Sequence, residues 1–285
     1  MPQLPEAETI KEDLRGLVVS SRILRAEVLD TSLVEQPSAE EFVRRIAEVR
    51  ISGARRRAKH IILDLENGDS LDLQLKLAGQ LLLVSPVEVP ESAVMLIFHL
   101  DDERQLYLRD ELRLTRARLF GPGELEEGLS DLGPDPLEES FSVEYLRQSL
   151  GGRRSRIKPL LMEQRLVAGI GNIYADEILY DARIHPRRKA STLSTDECRA
   201  LHTAIQENLE AGIEHRGTTV QFHRDLLNRP GEHQDYLRVF ERGGQPCPEC
   251  GGKVAQEQVG GRTTYYCPEC QIENGSWESE QLSLM

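Results

Sequence analysis

The chain has 285 residues, 39% of them apolar and 29% charged, the composition of a soluble globular protein with length for two domains. It has no apolar run near the roughly 18 residues of a membrane span and no charged-then-apolar leader, so a cytoplasmic protein with no membrane partner is expected. The net charge of −13 argues against a polyanionic partner, but the distribution is uneven: residues 50–60 carry five Lys/Arg and no acid, and residues 150–190 carry nine against four acids. Both a basic face on an acidic body and a plain solvated face fit that pattern.

In chain order, Met1-Pro2 comes first. Once Met1 is trimmed, the Pro2 nitrogen becomes a secondary amine at the terminus. An α-amino group titrates near about 7.7–8.0, against about 10.4 for lysine, so a sizeable fraction is unprotonated and able to attack a sugar C1′ and form an iminium ion. Protection of a frayed end is the plainer reading. Ile10, Leu14 and Leu17 then follow helical spacing, with Glu6 and Glu8 at the positive end of the dipole. Strand-like runs follow at 60–65 and 71–77 around Asn67-Gly68, and at 93–100 and 105–108 around Asp101-Asp102. They predict a mostly antiparallel β domain, a sandwich or flattened barrel.

The stretch 132–141 is rich in proline and acid and reads as a linker. Beyond it, short helices are expected over 142–150 and 156–166, another from Asn172, and a long one after Ser194, which stands three before Glu197 as in a capping box. Cys247-Pro-Glu-Cys250, sixteen residues, then Cys267-Pro-Glu-Cys270 is the spacing of a tetrahedral four-cysteine site for one structural zinc. Disulfides fit less well with no secretion signal and Cys198 left over; Cys198 is expected to pack in a helix.

Pro2 at the terminus, RRAKH at 56–60, IKPLLMEQRLVAGIGNIYADE at 157–177 and the four-cysteine finger occur in that order. Together they closely resemble the formamidopyrimidine-DNA glycosylase / endonuclease VIII family of base-excision repair enzymes, from Met1 to about Gln271. The resemblance implies an α+β fold: a catalytic β-sandwich over 1–134, a helix–two-turns–helix DNA-binding domain over 135–237, a zinc finger over 238–271 and an acidic, disordered tail over 272–285. It implies a monomer acting on double-stranded DNA that carries oxidised bases or abasic sites. The lesion nucleotide is flipped out, Pro2 displaces an oxidised purine such as formamidopyrimidine or 8-oxoguanine from C1′, and β- then δ-elimination cleaves the abasic site. Lys59 matches a lysine assisting elimination, Glu6 a supporting carboxylate, and Arg262 an arginine that grips phosphate and assists the later step. Gly169 and Gly171 would let main-chain N–H groups and Asn172 meet a phosphate, and Arg154 and Lys158 would neutralise its neighbours.

The chain also departs from that family. Gln3 stands where a glutamate serves as general acid; an amide delivers no proton, which predicts impaired base excision and a better-preserved lyase step. Two origins fit, a naturally divergent paralogue and a Glu-to-Gln replacement. Among the residues that fill the hole left by the flipped base, Leu77 replaces a methionine, Arg113 matches the arginine, and the phenylalanine position falls on Thr115 or a neighbour. A histidine before the strand at 93–100 is replaced by Glu91-Ser92, and 217–237 keeps only Gly217-Thr218-Thr219 before diverging. A damaged-DNA binder that no longer excises is therefore the second reading.

Overall fold

Helix α1 (Leu4–Leu17) forms where the apolar spacing predicts, with Gln3 as N-cap, Pro5 in its first turn and Arg15 in its last, an arrangement matched to the helix dipole. Leu4, Ala7, Ile10 and Leu14 form its buried stripe. The structure is a computed structural model describing residues 2–85, 93–220 and 222–273; Glu91-Ser92 and most of the predicted acidic tail lie outside the described residues. The chain divides into two compact units, Met1–Asp131 with Gly212–Asp235, and Leu132–Ala211 with Tyr236–Met285.

In the first unit α1 is followed by β1 (Arg22–Val28), β2 (Val34–Gln36), α2 (Ala39–Ile46), β3 (Val49–Arg57), β4 (His60–Leu65), β5 (Ser70–Gln74), β6 (Gln80–Val84), β7 (Val94–Leu100), β8 (Gln105–Arg109), β9 (Arg116–Phe120) and the short α3 (Leu125–Gly128). One layer runs β2-β9-β5-β4-β3 and the other β1-β7-β8-β6, joined where β1 meets β3 at Arg22↔Arg50 and Ile23↔Val49. All pairings are antiparallel except β2 with β9. Residues alternating along the strands place Ile51, Leu63 and Leu73 from one layer and Leu96, Phe98 and Leu106 from the other in a shared core. Each such side chain contributes about 1.5–3 kcal/mol by leaving water. Asn67-Gly68 and Asp101-Asp102 make the expected hairpins, with Gly68 at φ +88°. The strand predicted over 71–77 ends at Gln74, because the chain turns at once, Gly79 N donating to Leu75 O at 2.9 Å.

Residues 212–235 complete this unit. Leu226 is fully buried in the sandwich core and its carbonyl accepts from Leu83 N at 2.8 Å. Arg216 bonds both oxygens of Asp13 on α1 and Asp225, each at 2.8 Å.

The second unit holds α4 (Val143–Leu150), α5 (Ile157–Leu161), α6 (Asn172–Asp181), most of α7 (Thr195–Glu214), and the hairpin β10 (Ala255–Val259) with β11 (Arg262–Tyr266). Ser142 caps α4, and Ser194 and Glu197 exchange both bonds of a capping box at the start of α7. The helix predicted over 156–166 stops at Leu161, since Gln164 stitches a tight turn: its amide donates to Met162 O at 2.8 Å and Ile170 O at 2.9 Å, and accepts from Gly169 N at 2.9 Å. The linker-like stretch is fastened to the same unit by Gly133 N to Gln164 O at 2.9 Å and Ala168 N to Pro134 O at 3.1 Å. Cys198 is buried in α7. No helix among the described residues is long and apolar enough to cross a membrane.

Candidate active site and zinc centre

Helix α1 starts from a buried corner. Pro2 and Gln3 are both buried, and the Glu6 carboxylate spans two remote segments: Oε2 accepts from Gln3 N at 2.7 Å and Oε1 from Thr218 N at 2.7 Å. Gly217 (φ +82°) fits there because it lacks a side chain; a Cβ would stand 2.8 Å from Glu6 Cγ and 3.0 Å from His223 Nε2. The side-chain Oε1 of Gln3 is buried with no partner among the described residues.

His223 sits across Gly217 from Glu6, a neighbour the sequence reading missed. Its Nε2 lies 3.2 Å from Arg216 O and donates there, while Nδ1 is buried without a partner among the described residues. Burial holds the imidazole below its ordinary range against the opposing pull of Glu6. The one sequence signal was the departure that follows Gly217-Thr218-Thr219.

Lys59 lies in the two-residue turn between β3 and β4, beside Ala58 at φ +56°. That hairpin is docked on α1: Arg56 Nε meets Glu8 Oε2 at 2.6 Å, and Lys11 reaches Glu8 at 2.6 Å. Burial works against the Glu8 charge, but these two cations hold its carboxyl below the usual range. The fold thus ties the Lys59 hairpin to the helix that carries Pro2, Gln3 and Glu6. Leu77 projects from the turn after β5 and is 43% exposed. Arg113, between β8 and β9, adopts φ +54° and pairs with Asp30. Thr115 is fully buried, and its neighbour Leu114 is 43% exposed.

In the second unit Arg154 is exposed ahead of α5. Lys158 lies inside the second unit. Its side chain is wholly buried, with Nζ 2.7 Å from Asp176 Oδ1 and donating to Thr264 Oγ1 at 2.8 Å and Thr263 O at 3.1 Å. A cation so committed is a strut under the finger hairpin. Asn172 opens α6 as expected, and its amide also donates to Thr263 O at 3.0 Å, leaving Oδ1 buried without a partner among the described residues. Arg262 is exposed at the hairpin tip beside Gly260 and Gly261, at φ +59° and +75°. A Cβ on Gly260 would meet Pro159 Cγ at 2.5 Å, so the tip rests closely on α5. Lys158, Pro159 and Asn172 together fix where Arg262 emerges.

The four cysteines converge. Cys250 Sγ is 3.5 Å from Cys267 Sγ and Cys247 Sγ 3.9 Å from Cys270 Sγ, with all four sulfurs within 4.8 Å of one another. Disulfides need about 2.05 Å, whereas tetrahedral Zn–S bonds of about 2.3 Å put sulfurs roughly 3.8 Å apart. The donor set fits one structural zinc ion. Removing it with a strong chelator is expected to release one equivalent per chain and unfold β10–β11, since zinc binding is worth about 10–16 kcal/mol in small fingers. Loss of the near-ultraviolet signal of Tyr265 and Tyr266 in step with zinc release is the check.

Three family models match in sequence: the formamidopyrimidine-DNA glycosylase N-terminal domain over 1–117, the H2TH domain of the same proteins over 132–224, and a zinc finger found in FPG and IleRS over 244–272. The formamidopyrimidine-DNA glycosylase of Pelotomaculum thermopropionicum is 41% identical over 273 residues, covering 95% of this chain and 99% of that one. The Roseiflexus protein of the same name is 42% identical over 272 residues, covering 95% and 100%. Among solved structures, the Lactococcus lactis FPG in complex with a FAPY-dG containing DNA superposes with a TM-score of 0.90 at 29% identity, covering 95% and 100%. Its complex with an abasic site containing DNA gives 0.91 at 29%, covering 95% and 99%. With this identity along nearly its whole length, the chain belongs to the formamidopyrimidine-DNA glycosylase family.

Proposed function

We propose that the protein is a base-excision DNA glycosylase with AP lyase activity toward oxidised purines in duplex DNA. The observation that carries this reading is the buried Pro2–Gln3 corner held by Glu6 between its own helix and Thr218. After Met1 is removed, the Pro2 nitrogen attacks C1′ of a flipped nucleotide and the C1′–base bond breaks. The departing base takes the proton from the Pro2 nitrogen, and the nitrogen lone pair then expels O4′, which takes a proton from water, so the opened sugar is left as an iminium ion. This acidifies C2′–H, and β-elimination then releases the 3′ phosphate. Lys59 moves a proton from the β3–β4 turn, and Arg262 steadies the phosphate for δ-elimination. Arg154, main-chain N–H groups at the start of α6 and the remaining Asn172 amide hydrogen hold neighbouring phosphates. Leu77 and Arg113 fill the space the nucleotide vacates. Zinc holds the finger and takes no part in the chemistry.

Borohydride reduction on an abasic duplex is expected to trap one chain per strand through Pro2, in protein whose intact mass confirms loss of Met1. Absence of a trapped species from such protein would end the lyase assignment. The second reading, a binder of damaged DNA, is favoured by one observation, the Gln3 amide at a position where a proton donor is needed.

A further inference from the structure

Residues 110–115 join β8 to β9, and a single buried carboxylate organises them. Asp110 is fully buried. Its Oδ1 accepts from Leu112 N at 2.8 Å, and its Oδ2 from Leu114 N at 2.9 Å, Thr115 N at 2.8 Å and Thr115 Oγ1 at 2.8 Å. Arg113 is thereby bent into the left-handed region at φ +54°, a conformation that a non-glycine residue keeps only where its surroundings impose it. Thr115 Oγ1 also lies 3.1 Å from Leu75 O, and a Cβ on Gly79 would stand 2.2 Å from that hydroxyl. The turn carrying Leu77 and the loop carrying Leu112, Arg113 and Leu114 are therefore one locked unit. It leaves Leu77, Leu112 and Leu114 43–47% exposed, with the Arg113 guanidinium also exposed and paired with Asp30.

We propose that Asp110, acting through Thr115, is the positioning residue that holds Leu77, Leu112, Arg113 and Leu114 as a preformed wedge for the gap left in duplex DNA by an extruded nucleotide. This rests on the repair function proposed above and adds to it the device that sets the wedge and Leu112 as part of it. Exposed apolar side chains are otherwise a liability on a soluble surface, whereas insertion between base steps is a known use for them. Neither Asp110 nor Thr115 touches the reacting atoms. Their effect must vanish on single-stranded DNA, where there is no stack to fill.

The test compares Asp110→Asn and Thr115→Val with the parent chain on two substrates, a lesion-containing duplex and a single-stranded abasic oligonucleotide. Thr115→Val keeps the shape and removes only the hydroxyl tie, so it remains informative where Asp110→Asn folds poorly. The expected result is a loss of about 10- to 100-fold in kcat/KM on the duplex, the scale of a misplacement near 1 Å, with single-strand trapping unchanged. Equal losses on both substrates, or no loss on either, would overturn the proposal. Fluorescence of 2-aminopurine opposite a tetrahydrofuran abasic analogue reads the wedge without chemistry, and both variants should weaken that signal change. A parent chain inert to borohydride sinks the lyase assignment while this fluorescence arm still decides the wedge.

Discussion

Gln3→Glu should raise base release from a formamidopyrimidine-containing duplex by about 10²–10⁴-fold, the usual worth of general acid–base assistance. The substitution is isosteric and enters a place already shaped for it, since the Gln3 side chain is buried with an unpartnered oxygen. A carboxyl there lies three residues from Glu6, whose own carboxylate bonds the Gln3 main-chain nitrogen at 2.7 Å. Burial and a second carboxylate both favour its protonated form, which is the form a proton donor must have at neutral pH. Lyase action on a preformed abasic site should change far less, because that sugar already offers an aldehyde. Single-turnover rates on the two substrates provide the measurement. No gain in base release would favour the damaged-DNA binder.

Lys158→Met should destabilise the second unit by about 3–5 kcal/mol, because it leaves Asp176 buried without its cation. Both side chains are fully buried at 2.7 Å. Burial pushes the Asp176 carboxyl up to about 7 against the pull of Lys158. A carboxyl raised in the folded state keeps a proton that the unfolded chain releases above about 3.9. Its favourable contribution is therefore present below that pH and lost as pH rises through about 7. Without Lys158 only the Tyr265 N–H bond to Asp176 Oδ2, at 3.0 Å, still favours the carboxylate, so the variant's deficit should be smaller at pH 5 than at pH 8 in urea melts. Equal deficits would show that Asp176 is not the source. Zinc should stay bound, while elimination suffers because Thr263 and Thr264, beside Arg262, lose their strut.

What could be read from the sequence was what local pattern encodes. The apolar period of α1, the turn chemistry at Asn67-Gly68, the capping box at Ser194 and the paired CxxC knuckles each lie within a few residues. Helix α2 was missed in a stretch to which no element was assigned, since its eight residues bury only Phe42 and Ile46. The burial of Lys158 was invisible because it sits in a basic stretch and Thr264, one of its partners, is 106 residues away. His223 was hidden for the same reason: the bond that brings its neighbourhood to Glu6 spans 212 residues. Long-range partners, rather than residue types, separate a solvated cation from a buried one.

The return of residues 212–235 to the first unit bears on synthesis. A nascent chain ending near residue 131 lacks Leu226 for its core, Arg216 for Asp13 and Thr218 for Glu6. The sandwich therefore cannot reach its final state on the ribosome until more than two hundred residues have emerged. At roughly 5–20 residues per second, the stretch from residue 131 to residue 235 takes about 5–20 s to synthesise, during which the strands are all present but the core between them lacks Leu226.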